Sequence, residues 1–250
     1  MRGRLSAVFG VLTLLSLTPV CLAESPDWGT YNDVLKEFVS PGEKNGVPVN
    51  LVDYQGLSKS KPFEQVVKQI RTFDLARLQT REERLAFYIN AYNILTIQLI
   101  IDHWPVDSIR DIGNLFRGPW DQVVLTTSST ELTLDNIEHD IIRSYDEPLI
   151  HFAVNCASVS CPDLRREAYQ ADKLDAQLMD QFRGIFQQKG KGALIDDETL
   201  RVTKLFRWYV GDFEADGDVE TFIRTRLPEL EFSDIKPNLD YDWSLNGITR

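Results

Sequence analysis

The chain has 250 residues, 43% hydrophobic and 26% charged, which is enough apolar material for a packed core and too little charge bias for a disordered tail. A formal net charge of −11 speaks against nucleic acid and anionic membrane surfaces as partners, since both are bound mainly through Lys and Arg against phosphate. There is no internal repeat, no low-complexity stretch and no Gly-rich phosphate loop, which excludes collagen-like, coiled-coil and dinucleotide-binding classes.

Residues 1–23 have the pattern of a secretory leader. Arg2 and Arg4 precede an apolar run from Ala7 to Val20, and Leu22-Ala23 offers a small residue at the cut. That run is shorter than the roughly 20 residues of a bilayer span, so cleavage is expected, leaving no membrane span in the mature chain. Cys21 as an acylated residue is disfavoured by Pro19 and Val20 before it. Residues 24–250 are expected to form one domain in a periplasmic or secreted protein.

Along that domain, Asp27 to Val39 has helical spacing, with Trp28, Tyr31, Val34, Leu35 and Phe38 on one stripe and Ser40-Pro41-Gly42 as the stop. Pro62 to Phe73, behind Ser60 as cap, is a second amphipathic helix. Thr80 and Glu83 form a capping-box pattern ahead of a helix to about Ile101 that is apolar on every face and so buried. Asn90 and Asn93 interrupt it and must find partners inside. Hairpins are expected over 122–134 and 193–203, with a helix from Thr133 to Tyr145 between them whose apolar stripe contains Glu138, with His139 on its flank. Leu149 to Asn155, nearly all apolar after Pro148, is expected to be a buried strand carrying His151. Ser160-Cys161-Pro162-Asp163 is expected to open a helix to about Phe186, with a last helix from Asp218 to Arg226. The order implies an α+β fold, a central buried helix packed against a small, mainly antiparallel sheet with surrounding helices.

Cys161 at a helix N-terminus would have its thiolate stabilised by the helix dipole, which makes it the candidate nucleophile. Of the three histidines, His103 fits a helix-end cap. His151 is therefore the candidate base, with His139 second, Glu138 as the orienting acid, and Asn90, Asn93 and Asn155 as polar support. Against this stands a structural or redox disulfide between Cys156 and Cys161, with four residues between them across a turn. Zinc is disfavoured by the ligand spacing. Calcium at Asp212-x-Glu214-x-Asp216-Gly217 is rejected because Ile223 stands where Glu is needed, and no cofactor is called for.

Several strings taken together resemble the family called domain of unknown function 547. They are Val52-Asp53-Tyr54, Glu83 to Asn93, Leu134 to His139, His151 to Leu164, Phe206 to Tyr209 with Asp212-Phe213, and Tyr241 to Asn246. The family carries no assigned activity. It is similar to papain and transglutaminase-like cysteine hydrolases in pairing a cysteine at a helix start with a histidine and an acid. The order here is acid, His, Cys, so a circularly permuted papain-like arrangement, or convergence, is implied.

Two functions follow. One is an exported cysteine-dependent hydrolase or acyl transferase acting on an amide or thioester of a small molecule or peptide. The other is a non-catalytic extracytoplasmic binding module stapled by Cys156–Cys161, or a thiol redox site. Glu138, His151 and two buried asparagines are more polar investment than a staple needs, which favours the first.

Overall fold

The computed structural model describes residues 26–248, apart from 115, 127–129 and 216; the leader expected at 1–23 lies outside the described residues. Helix α1, Gly29–Phe38, buries Tyr31, Val34 and Leu35. It ends ahead of Ser40-Pro41-Gly42, as the sequence implies. The chain passes directly into strand β1, Val39–Lys44, which pairs with β2, Val47–Val52, in an antiparallel hairpin absent from the sequence reading. Asn45-Gly46, both at positive φ, supply its two-residue turn, the residue pair that such turns favour. Pro41 is tolerated because the sheet has only two strands.

The short α2, Tyr54–Leu57, is capped by Asp53, and α3, Lys61–Thr72, by Ser60, whose hydroxyl accepts from the Phe63 N–H. Helix α4, Arg81–Asp102, carries the expected capping box: Thr80 accepts from the Glu83 N–H at 3.1 Å and Glu83 accepts from the Thr80 N–H at 3.0 Å. Fourteen of its 22 side chains are buried. By length and composition α4 could cross a membrane, but its apolar faces are covered by the rest of the fold. His103 caps its end, with Nδ1 2.9 Å from the Leu99 carbonyl.

Strands β3, Val123–Thr126, and β4, Glu131–Thr133, form the second hairpin. Beyond α5, Leu174–Gln187, come β5, Ala193–Asp196, and β6, Thr199–Val202. The brief helices α6, Leu205–Trp208, and α7, Val210–Phe213, lead to α8, Val219–Arg226, and β7, Asp234–Lys236, which joins β6 in parallel. The fold is α+β. Among the described residues, the single sheet expected beside α4 is instead three separate small ones, of two, two and three strands.

Candidate functional site

Residues 149–155 do not form a strand. Pro148–Phe152 is a tight helical turn, started by Pro148 and by the Glu147 carboxylate accepting from the Leu149 N–H at 3.1 Å. All of Leu149, Ile150, His151 and Phe152 are buried, and a short apolar run buried on every side has no period to separate strand from helix. The turn delivers His151 to Asp212 of α7, Nε2 to Oδ2 at 2.7 Å. Asp212 is also gripped by the two-pronged fork of Arg143, Nε to Oδ2 and one terminal nitrogen to Oδ1, both at 2.7 Å. The fork holds the Asp212 carboxyl down to about 2 against the opposing effect of partial burial, and His151 adds to the lowering.

Asp212 is thus an ionised acceptor, so Nε2 of His151 is the nitrogen that carries the proton. Burial lowers the affinity of the imidazole for a second proton, a pull that its hydrogen bond to Asp212 only partly offsets. Its Nδ1 is buried and has no hydrogen-bond partner. Tyr209 stacks on the ring at 3.8 Å between centroids and 21° between planes, and Phe213 packs at 5.5 Å.

Glu138 does face the core, but it does not orient His151. It accepts from the Tyr209 hydroxyl at 2.7 Å and bonds Tyr92 of α4, and burial followed by this carboxylate pushes both phenols up. Its turn, Asn136–Ile142, is wound wider than an α-helix, and Arg143 emerges from its end. His139, half-buried, is likewise not placed on a thiol: its Nδ1 accepts from Arg143 at 3.0 Å and its Nε2 lies 3.4 Å from Asp135.

Cys161 is not at a helix start. After Pro162 the backbone runs irregularly to residue 170, and helical structure resumes only at Ala171–Lys173 and α5. The segment is pinned by its side chains. Asp163 accepts from the Asn50 N–H, from Gln188 and from the buried ammonium of Lys191 at 2.5 Å, while both backbone groups of Tyr169 are taken by Asn90. Helix-dipole stabilisation of Cys161 therefore falls away, and with it the papain-like cysteine at a helix start. Cys161 is 3% exposed, and burial pushes its thiol well up. Cys156 is the more accessible of the two. Burial pushes its thiol up as well, but hydrogen bonds with Cys161, Ser158 and Tyr241 outweigh this and leave it below its usual value. Its Sγ lies 3.3 Å from the Ser158 hydroxyl and 3.4 Å from that of Tyr241. Both cysteines are free thiols, and the expected disulfide is not formed in this structure.

Asn93 and Asn155 shape the cysteine loop, whereas Asn90 serves Tyr169. Asn93 accepts from the Asn155 N–H at 2.8 Å and donates to the Ala153 carbonyl; Asn155 donates to the Pro162 carbonyl and accepts from the N–H of Ala157, which sits at φ 60°. The loop is also laced to the C-terminal tail, with the Val159 and Ser160 N–H groups on the carbonyls of Ser244 and Asp242. These elements form a pocket of about 80 Å³ lined by His151, Cys156 and Cys161 together with Tyr209, Trp208 and Trp243. A wider hollow between α3 and α4 holds none of these groups. Among the described residues no three His, Cys, Asp or Glu side chains are grouped as a metal site.

Residues 75–184 match the family described as "Protein of unknown function, DUF547". Over those residues the chain resembles that family. No curated protein and no solved structure matches it. The DUF547 match takes in α4, Glu138, His151 and both cysteines, whereas Asp212, Trp208 and the tail lie beyond the matched residues. Sequence reasoning missed Asp212, Arg143, Tyr209 and Tyr241. The available signal was the string Phe206 to Phe213, aromatic and acidic at once in a chain with few histidines to serve.

Proposed function

We propose that this protein is an exported cysteine-dependent hydrolase or acyl transferase acting on an amide or thioester, with Cys156 as nucleophile and His151 as base. The observation that carries the reading is the unpartnered Nδ1 of His151, in one pocket with the Cys156 thiol, while Nε2 is committed to Asp212. The Cys156 sulfur would attack the acyl carbon and form a C–S bond. His151 would hold the thiol proton and pass it to the departing amine or thiol, and water or a second acceptor would then release the acyl group. Asp212 and Arg143 act as positioning residues, fixing the tautomer that leaves Nδ1 free.

A second reading, a thiol redox site, draws on the hydrogen bond between the two thiols and the opposed shifts it gives them. Iodoacetamide labelling followed by intact mass separates the two. For the hydrolase, Cys156 alone alkylates in the folded protein near pH 7, and His151→Gln slows it. Protein from its own compartment that takes label at neither thiol until reductant is added supports the redox site and overturns the hydrolase.

A further inference from the structure

We infer that the mouth of this pocket is a subsite for an uncharged ring, aryl or sugar, seated on the indole of Trp208. As the recognition element of an acyl substrate it rests on the reading above; as a binding site it does not. Trp208, at the end of α6, is 45% exposed, although rings support it from behind. Trp243 lies nearly parallel to it at 5.9 Å and 28°, Tyr241 packs at 4.9 Å, and these two touch each other at 4.6 Å. Trp243 is itself fixed by Trp120, edge-on at 5.8 Å, and by the Arg110 guanidinium 5.3 Å from its ring. An indole held this way loses little freedom when a ligand settles on its open face.

The charge of the pocket defines the ligand. No Lys or Arg lines it, and its one carboxylate, Glu138, is taken by Tyr209 and Tyr92, so an ionic group on the ring would find no counter-charge. Tyr241 ties the subsite to the thiol, since its ring contacts Trp208 while its hydroxyl reaches Cys156 Sγ at 3.4 Å. A ring on Trp208 is therefore one side chain away from the sulfur.

The test is binding without turnover, on Cys156→Ser protein, followed by ligand-observed NMR and tryptophan fluorescence. Four probes serve: N-acetylphenylalaninamide, methyl N-acetylglucosaminide, N-acetylglycinamide, which has no ring, and benzoate, a charged one. One of the two uncharged ring probes is expected to bind about fivefold more tightly than the last two, the scale of one stacking contact, and the better of the pair shows whether the ring is aryl or sugar. Adding Trp208→Ala should erase that preference, and Trp208→Phe should keep most of it. Equal binding of N-acetylglycinamide or benzoate, binding of the ring probes unchanged by Trp208→Ala, or no binding of any probe overturns the subsite. Ring binding with an unreactive Cys156 keeps the subsite and removes the acyl-transfer reading.

Discussion

Replacing Asp212 by Asn removes one negative charge from a site where the fold has lowered a carboxyl from an ordinary 3.8 to about 2. That difference corresponds to about 2 kcal/mol of native-state stability. The side chain is 26% exposed, so solvent screening leaves most of the figure in place. The folded value is the depressed one. The contribution is therefore complete above the unfolded value, and it is lost as pH falls toward 2, with about half remaining at pH 3. Urea unfolding of wild type and Asp212→Asn is expected to show a gap of about 2 kcal/mol at pH 7 that narrows to about 1 kcal/mol at pH 3. The same variant should slow iodoacetamide labelling of Cys156, because an amide no longer dictates which nitrogen of His151 bears the proton. Equal stabilities at pH 7, or a gap that does not change with pH, would refute the assignment of Asp212 as the ionised partner of Arg143 and His151.

Three further substitutions test the surroundings. Tyr209→Phe deletes the hydroxyl that bonds Glu138 and keeps the ring stacked on His151, so it should cost about 1.5–3 kcal/mol in urea unfolding; no measurable loss would mean that the bond adds nothing. Asn93→Ala strands the Asn155 N–H and the Ala153 carbonyl inside the protein, and a loss of about 2–4 kcal/mol is expected by thermal or urea melting, with a neutral result contradicting the proposed support of the cysteine loop. Lys191→Met leaves Asp163 without its ammonium and should cost about 3–5 kcal/mol, much of it restored when Asp163→Leu is added; a double variant as unstable as the single one argues against a compensated buried pair.

The capped helices were open to sequence reading because their signals are local. Ser60, Thr80 with Glu83, and Asp218 each cap the helix they were assigned to, and the apolar spacing between them follows one period. Glu138 was placed inward by the same periodicity. Its partner was not legible, since pairing Glu138 with Tyr209, or His151 with Asp212, joins positions 71 and 61 residues apart. His151 shows the complementary difficulty: four successive buried side chains carry no alternation, so a helical turn and a strand look the same. At Cys161, Pro162 suited a helix start, and what prevented a helix was remote, namely Asn50, Gln188 and Lys191 closing on Asp163. Beyond its place in the family strings, Asp212 reads in the sequence as a calcium ligand, because that pattern looks forward along the chain while its fork with Arg143 looks back.

The lacing of the cysteine loop to the tail also sets a timetable for the thiol. Tyr241 bonds Cys156, Ser244 and Asp242 accept from the loop backbone, and Asn246 and Ile248 bond the far end of β2 at Val52. During synthesis the stretch holding both cysteines leaves the ribosome some eighty residues ahead of these partners. Until residues 241–248 emerge, Cys156 lacks the phenol that helps to lower its proton affinity, and the loop lacks its clasp. The lowered proton affinity of Cys156 is thus a property of the finished fold, set only when residues 241–248 close on the loop.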